Sequence, residues 1–256
     1  MTSVLVARRE VGQRGQASFR WAAAAALLCC AGSAGADAAG DAQREEAPLG
    51  RAPVGPDGET PSGTQDRGIS VGLRAGFAFP IGLLAKGDDL SANVTGMVPI
   101  WLDAGYRLSR AFYVGAYAGW GFGSVSGQVC PAPLSCSAND LRLGVDAHLH
   151  LAALIGLAAP VDPWVGVGTG YESTTLHLET QGTKASETDR GFEFGNVQLG
   201  ADYTGFGAVR VGGFFTLTLA QYSSRSLEDA SGTKDYTPER AFHLWLMLGV
   251  RGQYDL

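Results

Sequence analysis

The sequence predicts an all-β fold, an eight-stranded antiparallel up-and-down transmembrane β-barrel. Three observations carry that prediction: apolar residues alternate at a period of two in eight separate stretches, glycine and isolated charges occupy the alternate positions, and the connections alternate between long and short.

The alternation begins at Gly68. In "GISVGLRAGFAF", Ile69, Val71, Leu73, Ala75, Phe77 and Phe79 share one face, opposite Ser70, Gly72, Arg74, Gly76 and Ala78. In "VPIWLDAGYRL", Val98, Ile100, Leu102, Ala104, Tyr106 and Leu108 oppose Trp101, Asp103, Gly105 and Arg107. In "AFYVGAYAGWGFG", Phe112, Val114, Ala116, Ala118, Trp120 and Phe122 oppose Tyr113, Gly115, Tyr117, Gly119 and Gly121. The fourth stretch, "LRLGVDAHLHL", sets Leu141, Leu143, Val145, Ala147, Leu149 and Leu151 against Arg142, Gly144, Asp146, His148 and His150. The fifth, "PWVGVGTGYE", sets Val165, Val167, Thr169 and Tyr171 against Trp164, three glycines and Glu172. The sixth, "VQLGADY", sets Val197, Leu199, Ala201 and Tyr203 against Gln198, Gly200 and Asp202. Phe192 and Phe194 lie out of phase with Val197, which predicts a β-bulge near Gly195. The seventh, "VRVGGFFTLTLA", opposes Val209, Val211, Phe215, Leu217 and Leu219 to Arg210, Gly212, Phe214, Thr216 and Thr218. The eighth, "FHLWLMLGVRGQYDL", opposes Phe242, Leu244, Leu246, Leu248, Val250 and Tyr254 to His243, Trp245, Gly249, Arg251 and Asp255. No helical periodicity interrupts these stretches, although "HLHLAALIGLAAP" has room for one short turn.

The connections predict the topology. About 16 residues separate the first and second stretches and again the third and fourth, against a usual hairpin loop of 2–5. Only "SR" joins the second to the third, and a tight turn near Gly205 joins the sixth to the seventh. Long loops at one end and tight turns at the other are the pattern of outer-membrane barrels. An even strand count then puts both termini of the barrel at the turn end.

The apolar faces are expected to touch lipid. None of the eight carries a charge, and Lys86, Lys184 and Lys234, the chain's only lysines, all fall in the long connections. Glycine weakens a solvated strand, whereas a narrow lumen filled by side chains has use for it. The charges of the other faces balance as a lumen network: Arg74, Arg107, Arg142, Arg210 and Arg251 against Asp103, Asp146, Glu172, Asp202 and Asp255. Charges withdrawn from water need such partners. Aromatics collect at the strand ends as two girdles. Tyr106, Phe112, Tyr203 and Tyr254 mark the turn end; Phe77, Phe79, Trp120, Phe122 and Phe242 mark the loop end.

Ahead of the barrel the chain changes character. Arg8, Arg9, Arg14 and Arg20 precede the uncharged "WAAAAALLCCAGSAGA", which ends in the A-x-A pattern Ala34-Gly35-Ala36. Residues 1–36 therefore read as a cleavable secretory signal peptide. Residues 37–67, rich in Pro, Gly and acids, read as a disordered periplasmic linker, and residues 68–256 as the barrel. Cys29 and Cys30 fall within the signal segment, leaving Cys130 and Cys136, an even pair in an exported chain, as an expected disulfide.

The segments "LRAGFAFPIG", "VPIWLDAGYRL", "YVGAYAGWGFG", "PWVGVGTGYE" and "LWLMLGVRGQYDL" resemble the small outer-membrane β-barrel proteins of Gram-negative bacteria, the outer-membrane protein A/W-like group. The resemblance covers Gly68 to Leu256 and implies outer-membrane localisation, contact with outer-membrane lipid, and insertion by the barrel-assembly machinery. The final "GVRGQYDL" is similar to the signal that machinery reads, except that it ends in Leu256 rather than Phe. No peptidoglycan-binding domain is expected after it.

The net charge of −6, near −9 without residues 1–36, disfavours a nucleic-acid partner. No zinc, Walker or Rossmann spacing occurs, and no cofactor is expected. His148, His150 and His243 are the candidates for a weak metal site, with lumen filling as the plainer reading. For a lipid-modifying enzyme, Ser173 with His177 is the best pair, but spacing alone does not establish a catalytic geometry. The expectation is a non-enzymatic barrel with an envelope-structural or surface-interaction role through its long extracellular loops. Passage of small apolar solutes through the wall, which the family resemblance implies, is the alternative, and lipid modification comes after it.

Overall fold

The computed structural model describes residues 67–156, 160–180 and 183–256. The signal-peptide and linker expectations for residues 1–36 and 37–67 concern residues outside these, apart from Arg67. Ten strands follow in order: β1 (Gly68–Ala85), β2 (Asp88–Asp89), β3 (Val94–Arg107), β4 (Phe112–Val125), β5 (Ser135–His150), β6 (Val161–Thr180), β7 (Thr183–Phe206), β8 (Val209–Asp229), β9 (Gly232–Tyr236) and β10 (Phe242–Asp255). Eight of them close a ring of antiparallel neighbours, β10-β1-β3-β4-β5-β6-β7-β8, sealed by the pairing of β8 with β10. Closure leaves no barrel edge with unpaired backbone groups, as a strand structure in hydrocarbon requires. The short β2 pairs with β1 and β9 with β8, both at the long-connection end.

Along the strands the face assignments read from the alternation hold; Leu151, set outward at the end of the fourth stretch, instead begins a helical turn after His150. Outward, Leu73, Ile100, Leu143, Val167, Val197, Leu217 and Leu248 are 36–61 % exposed, a band on all sides of the barrel. Inward, Arg74, Trp101, Tyr117, Glu172, Gln198, Thr216 and Trp245 are buried. The bulge lies where the phase break places it: Gly168 pairs with Asn196 and Gly170 with Glu193, so Phe194 and Gly195 together face Thr169. The extra residue turns Phe192 and Phe194 outward with Val197, restoring one apolar face.

The tight turns are also as read. Ser109 closes the β3–β4 turn through its backbone and its hydroxyl, both bonded to the Phe112 amide. Gly207 takes φ +71° between β7 and β8, a left-handed conformation that a side chain would resist. Cys130 and Cys136 form the disulfide, tying the irregular connection after β4 to the start of β5.

The long connections differ from expectation. They are mostly strand: β1 continues to Ala85, β6 and β7 rise together to Thr180 and Thr183, and β8 continues to Asp229 before turning into β9. On β6, β7 and β8 the outward positions of these extensions are hydroxyl-bearing, charged or otherwise polar, so an alternation recognised by its apolar members ends before the strand does. Between β2 and β3 a single helical turn, α1 (Leu90–Asn93), is capped by Asp89, whose carboxylate accepts from the Ser91 amide. It buries Leu90 beside Leu84 and Val94. The first connection thus folds over the outer mouth of the lumen. A second turn, α2 (Leu151–Leu154), stands at the opposite end in the stretch where one was allowed for.

Candidate functional site

The lumen is packed with side chains rather than open. Three of its arginines, Arg74, Arg142 and Arg251, lie over aromatic rings with their guanidinium groups also bonded to acids. Arg74 sits 4.4 Å above the Trp101 ring, which stacks on Tyr117 at 4.8 Å. The same guanidinium donates to Asp103 at 2.8 Å and Gln198 at 2.9 Å, and reaches Asp146 at 3.5 Å. Arg251 sits 3.9 Å over Trp164, at the end of a stack through His148 (4.7 Å) to Tyr113 (5.0 Å), and pairs with Asp202. Arg142, 5.3 Å from the Trp245 ring, holds three acids: Asp140 at 2.6 Å, Glu172 at 3.3 Å and Glu193 at 3.3 Å. At the turn end Arg210 bridges Asp162 (3.3 Å) and Asp255 (2.8 Å), and Arg107 approaches Asp255 at 3.6 Å. Ring faces and carboxylates together replace the water these cations give up.

Such rings need room, and glycines on neighbouring strands supply it. A Cβ on Gly119 would lie 2.5 Å from the Trp101 ring, and one on Gly200 would lie 2.4 Å from Trp164. That is the physical reason for the glycine-rich inner faces.

The ten residues expected in the lumen network take part in its ion pairs: Arg74, Asp103, Arg107, Arg142, Asp146, Glu172, Asp202, Arg210, Arg251 and Asp255. The network holds further acids, Asp140, Asp162 and Glu193, that the balance of charges had not included. Glu193 went unread because the bulge reverses the parity on its side of Gly195; continuing the phase from Phe192 would have found it. Tyr222 lies two residues past the end of the seventh apolar stretch, and its hydroxyl bonds Glu172 and Thr174 at the centre of the Arg142 cluster.

The three candidate metal-ligand histidines do not converge. His148 bonds Asp146 at 3.1 Å, His150 bonds Asp162 at 2.8 Å, and His243 bonds Glu172 at 3.3 Å. Three separate carboxylates, Asp146 on β5 and Asp162 and Glu172 far apart along β6, hold the rings apart, and among the described residues no group of three or more His, Cys, Asp or Glu is placed to hold a metal ion. Ser173 and His177 both face outward on β6, four residues apart. At about 3.3 Å per residue their Cα atoms stand about 13 Å apart, beyond hydrogen-bond reach.

A void of about 10 Å³, lined by Ala78, Met97, Pro99, Trp101, Arg142 and Trp245, has room for about one water. A larger, open hollow of about 550 Å³ lies outside the lumen, among the β5–β8 hairpins, against Ser137, His177, Lys184 and Glu228.

No family model matches the chain, and no curated protein matches it. Solved structures do. Neisserial surface protein A is 14 % identical over 73 % of this chain and 97 % of its own, with a TM-score of 0.43. The outer membrane protein OprG from Pseudomonas aeruginosa is 15 % identical over 74 % and 97 %, TM-score 0.43. The outer membrane protein AlkL, solved in lipid bilayers, is 12 % identical over 84 % and 98 %, TM-score 0.43.

Proposed function

We propose that this chain is an integral protein of the bacterial outer membrane, closed to ions, with an envelope-structural or surface-interaction role carried by its tall outer hairpins. One observation carries the reading: an uninterrupted apolar outer band encloses a lumen filled by stacked arginines and their carboxylates. An exposed apolar surface on every strand is unstable in water and suited to acyl chains. A lumen whose described void is water-sized offers no path for a hydrated solute. The hairpins beyond the band offer the polar, disulfide-tied surface that a partner would meet.

A second reading, lateral passage of small apolar solutes, has one observation in its favour. The β1–β3 ladder steps from Ala75–Ile100 to Ala78–Met97, and Pro99 between them has no N–H to donate. That thins the wall beside the void Pro99 lines.

Planar-bilayer recording of the folded chain tests both. Silence at the single-channel level is the expected result. A steady conductance would refute the closed lumen, and uptake of an apolar dye into vesicles that Pro99→Val abolishes would favour the second reading. Membrane insertion itself is checked by gel mobility, where the unboiled barrel should run apart from the boiled chain.

A further inference from the structure

On β5, β6, β7 and β8 the outward face changes chemistry within one row of a common height. It is apolar up to Tyr171 on β6 and Phe192 on β7; on β5 the change comes one row higher, Leu141 standing level with Ser173, and on β8 one row lower, Gln221 standing level with Phe192. Above, the strand register aligns polar outward residues in level rows. The lowest is Ser173, Arg190 and Ser224; the next is Asn139, Thr175, Thr188 and Ser226. Thr175 and Thr188 bond each other through their hydroxyls at 3.1 Å. A third row, Ser137, His177, Ser186 and Glu228, completes a sheet of hydroxyls and amides. Glu228 is the first carboxylate to face outward on these four strands above the apolar band, and it stands two rows above Arg190.

Arg190 is exposed and projects at the seam between the two chemistries, directly above Phe192. Its carbonyl accepts from Ser223, but among the described residues no carboxylate pairs with its guanidinium. A forked cation held at the edge of an acyl-chain band faces the depth at which lipid phosphates sit. The opposite flank lacks this arrangement: β1 carries Ile81 and Leu83 outward, and Lys86 beyond them is taken by Glu239 at 3.4 Å.

We propose that the outward wall of β5–β8 above the apolar band binds the phosphorylated saccharide headgroup of an outer-leaflet glycolipid, with Arg190 on a phosphate and the hydroxyl rows on the sugars. The inference rests on the membrane reading above, because the lipid that covers Tyr171, Phe192 and Leu219 must place its headgroup against these rows. The dimensions select a saccharide over a small phosphodiester head. Four strands span about 14 Å, and three rows rise about 13 Å, room for a pair of sugar rings. Paired donors and acceptors on a flat pleat match sugar hydroxyls, which both donate and accept.

The test uses the folded chain in detergent micelles, titrated with diphosphorylated lipid A, its dephosphorylated form, phosphatidylglycerol and inorganic phosphate, with bound lipid read by native mass spectrometry. The expected result is tightest binding of diphosphorylated lipid A. Arg190→Glu should weaken it about tenfold, towards the level of the dephosphorylated form, with Arg190→Lys intermediate. The pair Thr175→Val with Thr188→Val should narrow the preference over phosphatidylglycerol. Unchanged binding in Arg190→Glu, equal binding of phosphatidylglycerol, or full competition by inorganic phosphate would overturn the proposal. Failure of the unboiled chain to shift on a gel would instead remove the membrane reading on which it stands.

Discussion

Strand β7 is two ribbons in one. From Phe192 to Tyr203 it turns Phe192, Phe194, Val197, Leu199 and Tyr203 outward and Glu193, Asn196, Gln198 and Asp202 inward. From Thr183 to Arg190 it turns Lys184, Ser186, Thr188 and Arg190 outward, while Glu187 and Asp189 stay buried. The inner face keeps its character along the whole strand, with acids held by arginines: Arg142 grips Glu193 below, and Arg225 grips Asp189 and Glu187 above. Only the outer face changes. The interior of a narrow barrel is the same packing problem at every height, whereas the exterior answers to whichever solvent surrounds it.

The comparison is broken most severely from inside the lower ribbon. Arg142→Leu should strand Asp140, Glu172 and Glu193 in a buried site, at a cost of about 3–5 kcal/mol, visible as a lower unfolding midpoint in urea. The next effect separates the two outer faces. Leu143→Arg, in the band beside Ala118 and Tyr171, should cost about 2–4 kcal/mol in lipid vesicles. Thr175→Arg, on the same side but above the band, should stay within about 0.5 kcal/mol. Equal costs would erase the boundary drawn between the ribbons.

The smallest effect belongs to the upper ribbon. Burial pushes the Asp189 carboxyl up to about 6, against the pull of Arg225, and the neighbouring acids Glu187 and Asp88 act in the same direction as burial. Its folded-state value lies above the ordinary carboxylate value near 4, so between about pH 4 and pH 6 the folded hairpin holds a proton that the open chain releases. This group therefore favours the folded hairpin as pH falls through 6 and loses that advantage as pH rises. Amide exchange of the β7–β8 extension, corrected for intrinsic rates, should slow from pH 7 to pH 5, and Asp189→Asn should flatten the difference.

Much of this was legible in the chain. The period of two assigned every barrel strand and both faces of each, because a strand buries or exposes alternate residues whatever its neighbours are. The break in phase between Phe194 and Val197 located the bulge before any register was known. The reading stopped where its signal stopped: beyond Tyr171 and Phe192 the alternation continues, but hydroxyls replace the apolar members. For the same reason Tyr222 and Arg225 were not recognised as lumen residues.

The sequence by itself determined the number of barrel strands, the polarity of the wall and the residue types that meet in the lumen. Local alternation is written along the chain, and it fixes which side of a ribbon each residue takes. Tertiary structure alone decided the pairings. Register across eight strands chose Asp103 and Gln198 for Arg74, gave His148, His150 and His243 each its own carboxylate, and set Arg190 level with Ser173 and Ser224. Which residues stand at the same height depends on the stagger with which the sheet closes on itself, a property of the whole ring that no single strand carries.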